Sequence, residues 1–197
     1  MTSLFIDTAN KKAALAIISD DRLIKEIKFT SNNDLSSIIF NKIDKLFVDS
    51  NIDVNQIERI YIGIGPGSFT GTRIGLTIAK VFAFTRKIEI VPISSLEIIA
   101  SKGNEPFIIP FIDARRGFVF AGFYNNNLDK LKEEEYINYE EIKNIKAEFI
   151  TDDSDEREID ILKLVNKHQF DSPASVFDIK PNYLKATEAE ENNDNRV

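Results

Sequence analysis

Short apolar runs separated by turn residues fill the first thirty positions of the chain. Three runs that are rich in aliphatic residues occur at positions 3–8, 13–19 and 23–29. Each run has the length of an ordinary strand, and Asn10-Lys11 and Asp20-Asp21 between them are typical of turns. This pattern predicts three consecutive β-strands.

Apolar residues then recur with a helical period. Positions 34–48 carry one apolar stripe, formed by Leu35, Ile38, Ile39, Ile43, Leu46 and Phe47. The stripe predicts a helix with Asn33 or Asp34 as its N-cap. Further runs predict strands at 59–64, 89–92 and 107–112 and helices at 72–86 and 94–101. Three strands followed by alternating helices and strands resemble the ribonuclease H-like α/β layout of the actin and sugar-kinase superfamily.

A glycine-rich stretch, Gly65 to Gly75 with the sequence GPGSFTGTRIG, joins the predicted strand at 59–64 to the helix behind it. Free backbone N–H groups at a helix start can hold an anion, so the candidate anion-facing residues of the stretch are Gly65, Gly67, Ser68, Thr70 and Gly71. The lysine of a Walker loop is missing, and a dinucleotide fingerprint is only half present. Close packing of the helix on the strand or on a neighbour is therefore favoured over direct phosphate binding.

The predicted helix at 72–86 supports the packing hypothesis. Gly71, Gly75, Ala79 and Ala83 recur every four residues and form a stripe on which another backbone could lie. Its other faces are also largely apolar. A helix that is apolar nearly all round is either central to the core or shared with a partner.

Two acidic residues at predicted strand ends are candidates for facing a nucleotide. Asp7 follows the first strand, where active members of the actin and sugar-kinase superfamily place a carboxylate near the phosphates and their metal. Asp7 could equally cap the strand end. Asp113 and Arg115 lie in a predicted hairpin turn, which is either a plain surface turn or a second phosphate-facing turn.

The second half of the chain has a weaker pattern. Acidic residues crowd positions 133–160, with strand or helix suggestions at 132–136, 139–144 and 148–151 and an amphipathic helix from 159 onwards. We predict an N-terminal subdomain at 1–102, a reduced C-terminal subdomain at 103–185 and a disordered tail at 186–197.

Composition limits the functions that the chain can perform. Its net charge is −7, so a basic face for strong direct tRNA binding is not expected. The chain has no cysteine and only one histidine, His168, in a late helix that we expect to be solvated, so neither a metal site nor a Ser-His-Asp hydrolase is predicted. Its apolar runs are too short to span a bilayer and no signal peptide is visible, which predicts a cytoplasmic protein without a membrane contact.

Four segments together resemble the TsaB (YeaZ) family. They are Leu4 to Ala9, the GPGSFTGTRIG loop with Ala79-Lys80, Ile112 to Gly117, and Pro181 to Leu184, in the family's order and rough spacing. The resemblance covers the chain to about Lys185, and the glycine-rich block is its most specific part. It implies a catalytically inactive partner subunit in the bacterial transfer of a threonylcarbamoyl group to the adenosine next to the anticodon of tRNAs that read ANN codons.

The resemblance also implies partners and an interface. The chain would form a heterodimer with the catalytic paralogue TsaD through its first two helices and join the ATPase TsaE in a larger complex; alone, it could form a homodimer. It would hold no cofactor or metal of its own, although ATP or ADP could bind at the shared interface. The predicted interface residues are Leu35, Ile39, Ile43, Arg73, Ile74, Gly75, Ile78, Ala79 and Phe82.

One alternative from another functional class stays open. The chain could be an autonomous ATP-dependent phosphotransferase of the actin and sugar-kinase superfamily. Such an enzyme would use Asp7, the glycine-rich loop and Asp113, and it would need a second catalytic carboxylate and an adenosine pocket in the C-terminal half. The sequence from Glu133 onwards shows neither clearly.

Overall fold

The computed structural model describes residues 1–30, 34–152 and 157–185. Its first sheet has the strand order β3-β2-β1-β4-β5, in which β1, β2 and β3 are antiparallel and β4 and β5 run parallel to β1. The strands are β1 (Thr2–Asp7), β2 (Lys12–Ser19), β3 (Arg22–Thr30), β4 (Arg59–Gly63) and β5 (Glu89–Ile93). This order confirms the predicted ribonuclease H-like sheet.

Three helices belong to the first sheet: α1 (Leu35–Ser50), α2 (Phe69–Arg86) and α3 (Ser95–Ala100). Helix α2 begins three residues earlier than the sequence predicted, because the Ser68 hydroxyl oxygen accepts a hydrogen bond from the Gly71 N–H at 3.1 Å. Asp34 occupies the N-cap position of α1 without a side-chain capping bond. The alternative cap, Asn33, lies outside the described residues.

The second sheet repeats the strand order of the first. Its order is β8-β7-β6-β9, with β6 antiparallel to β7 and parallel to β9, so its four strands correspond to β3-β2-β1-β4. Its elements are β6 (Ile108–Asp113), β7 (Phe118–Tyr124), β8 (Lys130–Asn138), α4 (Tyr139–Ile142) and β9 (Glu148–Thr151), followed by α5 (Ile161–His168). The repeat is not visible in the sequence.

Three apolar clusters hold these layers together. Helices α1 and α2 cover one face of the first sheet, where Ile39 and Ala79 pack on residues such as Ile62. Helices α3 and α5 fill the space between the two sheets. The outer face of the second sheet carries the third cluster, which includes Val119 and, from the one-turn α4, Ile142.

The C-terminal strap, residues 174–184, runs back over the first sheet and reaches the second. The Ala174 N–H donates to the Ile90 carbonyl oxygen at 2.9 Å, and the Asn182 N–H donates to the Ile64 carbonyl oxygen at 2.8 Å. The Asn182 amide then donates to a Glu134 carboxylate oxygen on β8 at 2.9 Å. The subdomain boundary at 102/103 stays a prediction, and the tail at 186–197 lies outside the described residues.

Candidate functional site

The glycine-rich loop packs against the end of β1. A Cβ atom on Gly67 would lie 2.4 Å from the Ala9 carbonyl oxygen, and one on Gly71 would lie 2.0 Å from the Thr8 carbonyl oxygen. The Thr8 hydroxyl also donates to the Gly71 carbonyl oxygen at 2.7 Å. These approaches are closer than any side chain permits, so the packing role predicted for the small residues is confirmed, with the chain's own β1 as the neighbour.

A polar cavity of about 380 Å³ lies where the first residues of α1 and α2 meet the β1–β2 turn. Its lining includes the predicted residues Ser68, Thr70 and Gly71 and also Lys11 and Asn10, which the sequence analysis missed. Two helix N-termini and a lysine favour a negatively charged occupant. Of the predicted anion-facing residues, this cavity therefore brings together three.

Asp7 does not line this cavity but lies next to Asn10, which does. Its carboxylate is fully buried and accepts hydrogen bonds from the Ala9 N–H at 3.1 Å and from the Asn10 amide at 2.7 Å. Burial raises the pKa of the Asp7 carboxyl to about 6, although the two hydrogen bonds lower it. The Asn10 Oδ1 atom is buried and has no hydrogen-bond partner among the described residues.

Asp7 also lines a smaller cavity between the two sheets. Four cationic and three anionic described side chains line it: Lys12, Lys28, Lys102 and Arg157, with Asp7, Asp152 and Glu158. Glu158 lies 146 positions from Lys12 in sequence. No sequence pattern pointed to this cluster, because only the fold brings its members together.

Asp113 and Arg115 lie apart from both cavities, in the turn between β6 and β7. The Arg115 N–H donates to an Asp113 carboxylate oxygen at 2.8 Å, and both side chains are exposed. Arg115, Arg116 and Gly117 all have positive φ angles, of 69°, 54° and 81°. Neither residue lines the cavity of Asp7 or the cavity of Ser68.

The predicted partner face needs correction at several positions. Ile39, Gly75 and Ala79 are buried against this chain's own first sheet, and Leu35 is nearly so. Gly75 and Ala79 have no surface to offer, because the small-residue stripe of α2 faces β1 and not the solvent. On α1, Ile39 is fully buried and Leu35 is 8% exposed. Four predicted residues, which are half-buried at the outer side of this cluster, keep some exposed surface: Ile43, Ile74, Ile78 and Phe82.

Arg73 is exposed but already engaged within the chain. Its guanidinium lies 3.7 Å from the centre of the Phe69 ring, and its Nε donates to the Tyr183 hydroxyl at 2.9 Å. The arginine therefore holds the C-terminal strap against the start of α2.

Large apolar side chains stand out from the same two helices. Phe40 and Val48 on α1 are 61% and 78% exposed, and Val81 and Phe84 on α2 are 57% and 61% exposed. The sequence analysis left them out of the interface. The signal that could have identified them is a large apolar residue outside the stripe that faces the core on each helix. Exposed apolar groups at this density are typical of an interaction surface.

His168 is not solvated as the sequence suggested. Its side chain is 13% exposed and lies between two carboxylates, 2.7 Å from Glu97 and 2.6 Å from Asp171. Burial lowers its pKa, but the hydrogen bonds and charges of Glu97 and Asp171 outweigh burial and raise the pKa above 6.5. Within residues 1–30, 34–152 and 157–185, no group of three or more histidine, cysteine or acidic residues is arranged to hold a metal ion.

Comparison with known families identifies related proteins. A family model described as "TsaD: tRNA N6-adenosine threonylcarbamoyltransferase" matches residues 30–189. The tRNA threonylcarbamoyladenosine biosynthesis protein TsaB of Bacillus subtilis is 36% identical over 126 residues, 63% of this chain and 55% of the relative. TsaB of Haemophilus influenzae is 30% identical over 126 residues, 61% and 52% of the two chains. The chain thus matches about half the length of these curated relatives.

Solved structures share the fold. An uncharacterized Pseudomonas aeruginosa protein with similarity to peptidase YeaZ superimposes with a TM-score of 0.78 at 17% identity, over 93% of this chain and 99% of that one. YeaZ from Pseudomonas aeruginosa superimposes with a TM-score of 0.65 at 22% identity, over 70% and 67%. At these identities the likeness supports the fold alone. In the part of the chain that the structure describes, no helix has the length and apolar character needed to cross a membrane.

Proposed function

The chain belongs to the family of the matching model and to the TsaB (YeaZ) family, and from this premise we propose that it is a non-catalytic partner subunit in the synthesis of threonylcarbamoyladenosine on tRNA. It pairs with a TsaD paralogue, and the complex, with a TsaE ATPase as a further member, acts in the cytoplasm. The observation that carries this proposal is the exposed apolar surface on α1 and α2.

The proposed docking surface combines two kinds of residue. Phe40 and Val81 are exposed on α1 and α2, and Ile43, Ile74 and Ile78 on the same helices are half-buried and pack against the cluster beneath them. Burial of each large side chain stabilises a complex by roughly 1.5–3 kcal/mol, so a few such residues suffice for a lasting partnership. A second copy of the chain could use the same surface when TsaD is absent.

The cavity at the helix N-termini, at about 380 Å³, has more room for a nucleotide phosphate than the cavity of Asp7, at about 40 Å³. The cavity of Ser68, Thr70 and Gly71 opens beside Leu35 and Ile74, at the edge of the proposed docking surface. We propose that a phosphate group of ATP or ADP binds here when the partner closes the cavity. The chain needs no cofactor of its own for this role.

Two features favour a catalytically inactive subunit over an autonomous phosphotransferase. Asp7 is fully buried, with both carboxylate oxygens bound by Ala9 and Asn10. Asp113 caps its own turn and lines neither cavity.

The net charge of −7 also favours a tRNA held mainly by a partner, not by this chain.

Co-expression with the TsaD paralogue of the same organism tests the proposal. Size-exclusion chromatography with light scattering should show a heterodimer that forms at the expense of any homodimer. The double variant Phe40→Glu/Val81→Glu should elute as a folded monomer. Formation of the complex would require burial of an unpaired carboxylate at each position, which is strongly unfavourable. Phe170→Glu is the matched control, since Phe170 is 89% exposed on a loop beyond α5.

Three outcomes would contradict the proposal. The wild-type chain and TsaD could elute separately, the double variant could still form the heterodimer, or the control could lose it. ATP turnover in the peak of this chain alone would favour the phosphotransferase instead, and Asp7→Asn would then be the next variant to measure.

A further inference from the structure

An open groove of about 550 Å³ lies between helix α2 and the C-terminal strap. Apolar side chains of both elements, among them Leu76 and Ile179, form much of its wall. An apolar hollow of about 220 Å³ shares Lys80 and Phe177 with the groove and extends it to Phe84. From position 73 to position 84 the helix rises by about 16 Å, so the strap groove, as we call the two parts together, has room for roughly five residues of extended chain.

The strap groove is cationic although the chain as a whole is acidic. Its lining includes, among the described residues, three cationic side chains and no acidic one: Arg73, Lys80 and Lys180. Helix α2 has no aspartate or glutamate over its 18 residues. Asp178, the one acidic residue of the strap, lines neither part of the groove. A negatively charged occupant therefore meets attraction along the groove and no carboxylate in its lining.

None of these three cations has a carboxylate partner within the part of the chain that the structure describes. Lys80 is half-buried, and its ammonium group donates to the Ile179 carbonyl oxygen at 3.0 Å, which leaves two of its three N–H donors for a ligand. Lys180 is exposed. Arg73 donates through Nε to the Tyr183 hydroxyl, which is a neutral acceptor. A half-buried ammonium with a neutral acceptor alone is stabilised further when an anion arrives.

We propose that the strap groove binds an acidic peptide segment of another protein in an extended conformation. Carboxylates of the segment pair with Lys80 and Lys180, and its apolar side chains pack on Leu76 and Phe177. The apolar wall favours a peptide over a nucleic acid, because a phosphate backbone needs a continuous cationic track. This inference does not rest on the pairing with TsaD, because the groove lies on the side of α2 that faces the strap.

Fluorescence anisotropy of a labelled, terminally blocked peptide of sequence ELEFE tests the proposal on the full chain at low ionic strength. The wild type should bind ELEFE at least about tenfold more tightly than QLQFQ, which lacks carboxylates, or ESESE, which lacks apolar side chains. The variant Lys80→Gln/Lys180→Gln should lose about tenfold or more in affinity for ELEFE, because two charge-assisted hydrogen bonds become neutral ones.

The matched control is Arg116→Gln/Lys146→Gln. It removes the same two positive charges from exposed loop positions of the second half of the chain, so it measures the general effect of net charge. Circular dichroism confirms that each protein is folded. If the groove variant does not fold, Lys180→Gln is titrated alone, because the Lys180 side chain is exposed and makes no hydrogen bond or ion pair with any described residue.

Four results would overturn the proposal. Equal binding of ELEFE by the wild type and the groove variant would place the peptide elsewhere, and an equal loss in the control would reduce the effect to net charge. Tighter binding of a short oligouridylate than of ELEFE would make the groove a nucleic-acid contact. Self-association of the wild type that the groove variant abolishes, measured by light scattering, would assign the groove to a second copy of the chain.

Discussion

The two sheets share a strand order but differ in what surrounds the end of the first strand. Strand β1 ends at Asp7 and β6 ends at Asp113, and each carboxylate accepts the N–H of the residue two positions later, Ala9 or Arg115. Asp7 is fully buried, whereas Asp113 is exposed in an open hairpin. The same local turn is therefore a core element in one half and a surface element in the other.

The helices that cover the sheets explain this difference. In the first half, the 16-residue α1 and the 18-residue α2 cover the sheet, and α2 begins directly above the end of β1. In the second half, the position of α1 is taken by the four-residue α4, and α5 packs between the sheets and not on the outer face. Among the described residues, only the first half thus has the long helices that a partner could bind.

The largest expected effect comes from breaking the contact between α2 and β1. Gly71→Ala would place a Cβ 2.0 Å from the Thr8 carbonyl oxygen, and backbone cannot yield as a side chain can. We expect a loss of about 3 kcal/mol or more in the free energy of unfolding, measured by urea denaturation. Gly117→Ala is the matched change in the second half: nothing lies within 4 Å, and its positive φ alone costs about 1 kcal/mol.

Equal losses in these two variants would contradict the difference between the halves. They would mean that the glycine-rich loop does not pack on β1 as closely as the distances state.

The second prediction concerns the charge of Asp7. Its pKa is about 6 in the folded state and 3.8 ordinarily, so between these values the folded state binds more protons than the unfolded state. The free energy of unfolding therefore falls as the pH rises through this window, by roughly 3 kcal/mol. The stability of the wild type relative to Asp7→Asn should fall by roughly 2.5 kcal/mol between pH 4 and pH 7, since at pH 4 the unfolded carboxyl is already partly ionised.

The difference between the two proteins isolates Asp7, because all other carboxylates are common to both. Urea denaturation at pH 4, 5, 6 and 7 gives the curve. A difference that stays constant with pH would show that Asp7 is not desolvated in the folded state. The surface counterpart Asp113→Asn should change stability by no more than about 0.5 kcal/mol at pH 7, since the amide oxygen can still accept the Arg115 N–H.

Local sequence patterns predicted most of the helices and strands. They did not predict the contacts between residues that are distant in sequence. The strands of the first sheet follow from short aliphatic runs, and α1 follows from its 3.6-residue period. The start of α2 was placed three residues late, because Phe69 and Thr70 follow glycine and proline and carry no helical signal by themselves. The buried side of α2 was misassigned because a small-residue stripe does not show whose backbone covers it.

The candidate site was predicted only where its residues are neighbours in sequence. Ser68, Thr70 and Gly71 line one cavity as a short motif can suggest. Lys12, Lys28 and Glu158 meet only because β2, β3 and the segment after β9 converge. Asp113 was grouped with Asp7 by analogy with the superfamily, and the structure places them at the same position of the repeat but in different surroundings.

The smallest of the three main effects is expected at the end of α5, an element that packs between the sheets. His168 has a raised pKa because the hydrogen bonds and charges of Glu97 and Asp171 outweigh the opposing effect of burial. A raised histidine pKa stabilises the folded state fully below the unfolded value of 6.5 and ceases to do so as the pH rises through the folded value. The wild type should exceed His168→Gln in free energy of unfolding by about 1 kcal/mol at pH 6 and by less at pH 9, measured by urea denaturation. Phe170→Glu, on the next loop, provides the control for a general effect of charge, and an unchanged or growing advantage of the wild type at pH 9 would mean that the imidazolium does not hold α5 against α3.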